Sequence, residues 1–372
     1  MSKRVLLSGY YGFGNTGDEA ILESICQELR AAIPGVELSV LMDNRQRGEE
    51  LGLKCYPRKS PQHIWKAMRA ADLFLSGGGG LLQDSTGIGS VVYYGGLLGL
   101  AKFAGVPAVV FCQGFGPIAT PASKCLCYCA LKCVRWASWR DKASLDEVAT
   151  LVPGLDSRLL ADPALLLEPA TAPRVRELYE ACHGPVGRRI VVTVRKWSGL
   201  DLNVLARELR NFALKVQEED GSPVCYSIIP FQPSVDTEPS EQLAEMLPDM
   251  SEIVRGASVR EVVGLVRADA SCLPEEQAVQ MVVSMRLHAL IFAAAGHVPC
   301  LGISYDRKVQ RFCERAGGQS IELAHIGEGA LAQQMLECWH GRQAMRENMV
   351  PRVEAMRQQV KQAVQDVVSL LG

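Results

Sequence analysis

The sequence has no long uncharged apolar run. Its longest apolar stretch, "VVYYGGLLGLAKFAGVPAVVF" over residues 91–111, is interrupted by Lys102, by glycines and by Pro107. That pattern fits a buried helix followed by a buried strand and excludes a membrane span. A secretory leader is not expected, because Gly9 and Gly12 end the first apolar run of "MSKRVLLSGYYG". Charge of one sign is lacking too. There are 39 Lys and Arg against 41 Asp and Glu, formally −2, so no global basic field awaits nucleic acid. The P-loop pattern is missing, since no Gly-Lys-Ser or Gly-Lys-Thr follows the first glycine-rich turn. No Cys-x-x-Cys pair or second cysteine cluster completes a zinc shell.

What is present bounds the class. The 372 residues suffice for two domains, and 48% apolar with 22% charged residues describes a soluble globular chain. Thirteen cysteines without a leader argue for the reducing cytoplasm. Four of them cluster in "KCLCYCALKC": Cys125, Cys127, Cys129 and Cys133. On a helix their sulfurs point in different directions, so buried, reduced and metal-free thiols are expected.

Short apolar runs alternate with helical patterns throughout. In the first half strands are expected at 4–8, 37–41, 72–76, 107–112 and 135–139, with helices at 18–32, 61–70, 90–104, 119–133 and 142–151. Such alternation means βαβ units and parallel sheets. Prolines near 167–178 mark a boundary. The second half repeats the pattern, with strands at 190–194, 224–229, 252–254, 269–272, 281–284 and 299–303. Its helices fit 200–218, 239–247, 258–266, 287–295, 306–315 and 328–339. The tail from Pro351 carries a helical apolar stripe, Val353, Met356, Val360, Val364 and Val367, suited to packing on a domain. The fold class is therefore α/β: two Rossmann-like doubly wound domains facing a cleft, with a C-terminal helix. The expected bounds are 1–170, 186–342 and 343–372.

Ligands of such sheets sit beyond the carboxyl ends of strands, so the residues after each strand are the candidates. After the first strand comes "GYYGFGNTGDEAIL". Its glycines permit close backbone approach, Asn15 or Thr16 can cap the helix, and Asp18 and Glu19 favour its positive end. Those acids argue against a bare phosphate there. "SGGGGLLQDSTG" follows another strand, with Gly79 free to meet a ligand and Asp84 placed for a sugar hydroxyl. "QGFGPI" and "SWRD" come next, the latter with Arg140 as a groove cation or as the partner of Asp141. In the second half "VVTVRKW" ends a strand with Arg195 and Lys196, which suit an anion. Arg286 and His288 then stand at the start of an apolar helix, whose free N–H groups favour a phosphate or carboxylate. Lys308 follows the next strand.

The ordered set "SGYYGFGNTGDEAIL", "LSGGGGLLQD", "QGFGPI", "SWRD", "ADPALLL", "VRKW" and "MRLHALIFAAAGHVPCLGISYD" resembles the polysaccharide pyruvyltransferase family, of the bacterial CsaB type, over about residues 4–315. The resemblance implies a GT-B-like pair of domains. It implies transfer of pyruvate from phosphoenolpyruvate to a sugar of a lipid-linked cell-wall polysaccharide precursor, commonly as a 4,6-ketal of N-acetylmannosamine. The family's donor arginines and histidine match Arg195, Arg286 and His288; the segment after Trp197 is short and less typical, and the two anionic groups of the donor leave room for Lys308 as a further cation.

The residues agree with that chemistry. Phosphoenolpyruvate is a substrate carrying two anionic groups, and His288 is the best acid for its methylene carbon. On the acceptor side stand Gly12, Asn15, Asp18, Gly79, Asp84 and Arg140, with Asp18 or Asp84 available to take a hydroxyl proton. No cofactor or metal is expected, nor any nucleic-acid partner. The expected place is the cytoplasm, with room for peripheral contact at the inner membrane face. Two rival readings fit the architecture: a GT-B glycosyltransferase using a nucleotide sugar, and a non-catalytic sugar- or nucleotide-binding protein.

Overall fold

Val5, Leu6 and Leu7 are buried because their strand, β1 (Arg4–Ser8), lies inside a parallel sheet covered on both faces. The computed structural model describes residues 2–85 and 87–372. Two compact units divide the chain. One runs to Leu166 and includes Met356–Gly372; the other is Leu167–Ala355.

In the first unit β1 is followed by α1 (Thr16–Ala32), β2 (Glu37–Leu41), α2 (Arg45–Glu50), β3 (Lys54–Tyr56) and α3 (Pro61–Ala70). Then come β4 (Leu73–Gly77), α4 (Gly89–Phe103), β5 (Ala108–Gln113), α5 (Pro121–Leu131), β6 (Trp136–Trp139), α6 (Lys142–Leu151) and β7 (Ser157–Leu159). Seven parallel strands take the order β3-β2-β1-β4-β5-β6-β7. Right-handed crossovers send α3 to α6 to one face. There Ile64, Met68, Leu98, Leu131 and Val148 share a core with Phe74 and Val110 of the sheet. Each such side chain contributes about 1.5–3 kcal/mol by leaving water.

The second unit holds α7 (Ala172–Glu180), β8 (Arg188–Thr193), α8 (Leu202–Asp220), β9 (Val224–Ile228), α9 (Pro233–Met246), β10 (Ser251–Ile253) and α10 (Val259–Arg267). It continues with β11 (Val279–Ser284), α11 (Leu287–Ala295), β12 (Cys300–Ser304), α12 (Arg307–Ala316), β13 (Gln319–Glu322) and α13 (Ala330–His340). Six parallel strands take the order β10-β9-β8-β11-β12-β13. A last helix, α14 (Arg342–Leu371), begins in the second unit and ends in the first. Its stripe Val353, Met356, Val360, Val364 and Val367 is buried. Among the described residues no helix is long and apolar enough to cross a membrane.

The expected strand at 269–272 is a turn. Asp269 Oδ1 accepts from the Ser271 N–H at 2.9 Å, and the Asp269 carbonyl accepts from Cys272 and Leu273 at 3.0 Å each. The side chain thus competes with any ladder. The expected burial of the cysteine cluster fails in part. A spacing of four puts Cys125 and Cys129 on the outer face of α5, both exposed, while Cys127 is buried and Cys133 packs half-buried against the core.

Candidate active site

Each sheet reverses its strand order once, between β1 and β4 and between β8 and β11. Such switch points are where open parallel sheets leave a crevice for a ligand. Most of the sequence candidates gather at the two.

In the second unit Thr193 and Ser284 end β8 and β11 in register. The Ser284 hydroxyl donates to the Arg286 carbonyl and accepts from the Arg286 N–H, both at 2.8 Å, and it also bonds Thr193 Oγ1. These bonds hold the backbone extended at Arg286, the N-cap residue of α11. The Arg286 side chain is buried and paired. Asp236 Oδ2 accepts from Nε at 3.0 Å, Oδ1 meets Nη2, and Gln232 Oε1 accepts from Nη2 at 3.4 Å. Asp236 is itself fully buried and accepts from the N–H groups of Phe231 (3.0 Å) and Gln232 (2.8 Å). Arg286 is therefore held rigidly by its Nε and Nη2, with Nη1 on the other edge.

Arg195 reaches over the end of β11 to join the loops on either side of it. Its Nη1 donates to the Tyr305 hydroxyl at 2.8 Å. Its guanidinium lies 5.1 Å from the Tyr305 ring and 5.4 Å from that of Trp197. The two rings are 4.6 Å apart. Among the described residues Nε of Arg195 is buried without a hydrogen-bond partner, a state that costs roughly 1–3 kcal/mol. Lys308 pairs with Asp306 at 3.0 Å and stands 5.8 Å from the same Tyr305 ring. Lys196, by contrast, is exposed and pairs with Glu238 at 2.8 Å. His288, half-buried, is the second residue of α11, its ring 6.4 Å from that of Phe292 one turn on.

In the first unit four acceptor candidates meet at the β1/β4 switch point. Asn15 caps α1, its Oδ1 accepting from the Gly17 N–H at 3.3 Å and its Nδ2 donating to Asp18 at 2.6 Å. Gly12, at φ +81°, donates its N–H to Glu19 at 2.6 Å. Gly79, at φ +71°, sits where an L side chain would be strained, and a Cβ there would stand 2.9 Å from Asp18 Oδ1. Asp18 and Glu19 are both buried, and Glu19 shares Arg47 with Glu23, in a pair at 3.2 Å and a shorter contact. The two remaining candidates lie apart, around the loop after β5. Asp84 accepts from the N–H groups of Ala119 (2.9 Å) and Thr120 (3.0 Å). Those bonds hold its carboxyl below the usual carboxylate range. Arg140 pairs with Asp162 at 3.2 Å, while Asp141 caps α6.

Sequence reasoning missed an aromatic group over the same switch point. Tyr10 and Phe13 are exposed and stacked at 4.4 Å. The Arg58 guanidinium lies beneath, 4.9 Å from the rings of both Phe13 and Tyr93. Its Nη2 donates to the Tyr94 hydroxyl at 3.3 Å. Burial pushes the Tyr94 phenol up to about 12, against the pull of Arg58, so it keeps its proton and donates to the Gly9 carbonyl at 3.2 Å. Asp236 was missed as well. Its signal was its place just after β9, four residues beyond Gln232, on a helix whose start the sequence reading put at 239 and not at Pro233.

A sequence model described as "Polysaccharide pyruvyl transferase" matches residues 15–267 and 277–307. No curated protein matches. Solved structures share the fold across the whole chain. A glycosyltransferase from Rickettsia africae is 10% identical, covering 100% of this chain and 98% of its own, with a TM-score of 0.60. Anabaena HepE in complex with UDP gives 10%, 99% of each chain and 0.62. A UDP-GlcNAc 2-epimerase from Neisseria meningitidis bound to UDP-GlcNAc gives 12%, 100% and 99%, and 0.60. At such identities the likeness establishes the GT-B-like pair of α/β domains and nothing finer.

Proposed function

The chain belongs to the polysaccharide pyruvyl transferase family, and from that premise we propose that it is of the CsaB type. It moves pyruvate from phosphoenolpyruvate to a sugar of a lipid-linked cell-wall polysaccharide precursor at the cytoplasmic membrane face. The product is a cyclic ketal, 4,6-linked on N-acetylmannosamine, and phosphate is released. The observation that carries this reading is the pair of arginines after β8 and β11 at their switch point: Arg195 against the Tyr305 and Trp197 rings, and Arg286 locked by Asp236 at the start of α11.

The donor has a phosphate and a carboxylate, and Arg195, Arg286 and Lys308 supply the opposing charge. His288 delivers a proton to the methylene carbon, which becomes a methyl group. One sugar hydroxyl adds to the resulting oxocarbenium carbon and gives its proton to a general base. The C–O bond to phosphate then breaks, its electron pair leaving with the phosphate, and the second hydroxyl adds to the same carbon and closes the ring, its proton passing to the departing phosphate. The exposed Tyr10–Phe13 pair offers a flat apolar surface to the acceptor's pyranose ring.

The test is to incubate the protein with phosphoenolpyruvate and a lipid-like diphosphate disaccharide. A mass gain of pyruvate less water, with release of phosphate, is expected. Binding of uridine diphosphate without binding of phosphoenolpyruvate, measured by calorimetry, would favour the nucleotide-sugar glycosyltransferase instead.

A further inference from the structure

The charge of this chain is unevenly spread. Over residues 51–140 ten Lys and Arg stand against two acids, Asp72 and Asp84, although the whole chain is formally −2. Both acids are engaged, Asp72 with Arg4 and Asp84 with the N–H groups of Ala119 and Thr120. The helices α3, α4 and α5 contain no acid at all.

Their outer faces carry large apolar side chains in the open. Phe103 is 82% exposed and Val92 53%, and Trp65, Leu126 and Tyr128 are exposed as well. The patch is continuous. Trp65 of α3 meets Phe103 of α4 at 5.8 Å between ring centroids. Lys102 of α4 donates to the Lys132 carbonyl beyond α5 at 3.4 Å, and Lys132 stands over Tyr128 of α5 at 5.8 Å. Arg69 lies 5.9 Å from Trp65 at the other end. Val92 sits near the start of α4 and Phe103 at its end, so exposed apolar side chains mark both ends of a helix of about 22 Å, with Gly96 open between them. At the C-terminal end of α4 a cavity of 490 Å³ is lined by Lys102, Lys132 and Arg135 together with Val106, Val134 and Leu370.

An apolar patch ringed by cations and free of acids matches the boundary of a bilayer with negative headgroups. The rings and aliphatic groups enter the acyl edge, and the cations take the phosphates. An acidic protein partner would meet the same cations, but it would leave the exposed apolar side chains without a matching reason. We propose that the outer face of α3, α4 and α5 docks the protein on an anionic lipid bilayer. This rests on the proposed function only for the membrane face it names, and it is tested without donor or acceptor, so either can fail alone.

The experiment is co-sedimentation of the full chain with vesicles of phosphatidylcholine alone, or with about a third phosphatidylglycerol, where each cation near the surface multiplies partitioning roughly fivefold. Binding to the anionic vesicles alone is expected, weakening at about 0.5 M salt as charge is screened. Lys102→Gln with Lys132→Gln is expected to lower partitioning at least about tenfold, and Phe103→Ser about as much. These side chains are exposed, and unchanged thermal melting verifies the fold. Three results overturn the proposal: no binding to anionic vesicles, equal binding to both kinds, or binding that neither variant alters. Self-association that Phe103→Ser abolishes, without vesicle binding, reassigns the patch to a second copy of the chain.

Discussion

Asp236 grips Arg286 along one edge, with Oδ2 3.0 Å from Nε and Oδ1 on Nη2, in a pair that water scarcely reaches. This pair changes what a mutation at Arg286 can report. Arg286→Ala alone leaves a buried carboxylate without its cation, so it is expected to cost about 3–5 kcal/mol of stability as well as donor affinity. The cleaner test is Arg286→Gln combined with Asp236→Asn, which removes both charges and keeps the shape. A folded double variant should lose about 2–5 kcal/mol of phosphoenolpyruvate binding by calorimetry. Undiminished donor binding in that protein would take Arg286 out of the donor site.

His288 is expected to be the acid of the first step. His288→Gln keeps size and hydrogen bonding but delivers no proton. Donor binding should survive while turnover falls by roughly 10²–10⁴-fold. In heavy water the wild type should place solvent deuterium in the ketal methyl. Near-normal turnover of a folded His288→Gln protein assigns the acid elsewhere.

Asp84 makes a statement about pH. The N–H groups of Ala119 and Thr120 hold its folded-state carboxyl below the ordinary range. Its contribution is therefore fully present above the unfolded value near ~3.9 and lost as pH falls through the lowered folded one. Melting temperature against pH checks this. Asp84→Ala should melt lower than wild type at neutral pH, and the gap should narrow below about pH 4. A gap that stays constant to strongly acid pH would show that the carboxylate charge does not matter there.

Arg47 bridges two buried acids of α1, Glu19 and Glu23. Arg47→Met should destabilise the protein by about 3–5 kcal/mol in denaturant unfolding, since both carboxylates lose their cation. Arg47→Met combined with Glu23→Gln should recover part of the loss. If the single variant changes stability by less than about 0.5 kcal/mol, the network is an exposed one in effect.

The strands that carry the site were legible because fully buried parallel strands read as continuous apolar runs, as at Val5-Leu6-Leu7 and Val282-Val283. The start of α11 after Arg286 was legible for the same reason. β3, β7 and β13 were not, since three or four residues are too few for a period to declare itself. Partners distant in sequence were equally hidden. Nothing local in "SWRD" says that Arg140 is held by Asp162, and nothing in "PRKS" says that Arg58 lies under Phe13. Asp84 was read as a hand for a sugar hydroxyl because a carboxylate in a glycine-rich loop looks available. The backbone donors that occupy it lie 35 residues away.

The path of α14 bears on the order in which the protein can be made. The first unit is left at Leu166 and completed only by Met356–Gly372, after the whole of Leu167–Ala355 has been synthesised. Its sheet emerges early, but Val360, Val364 and Val367, buried in the finished unit, arrive last. At ordinary synthesis rates of about 5–20 residues per second, roughly 190 residues of delay is on the order of 10–40 s. During that time the nascent first unit shows the apolar surface that its final helix will cover. A chaperone has that interval in which to bind, and a stop codon just before Met356 would leave the first unit permanently in its waiting state.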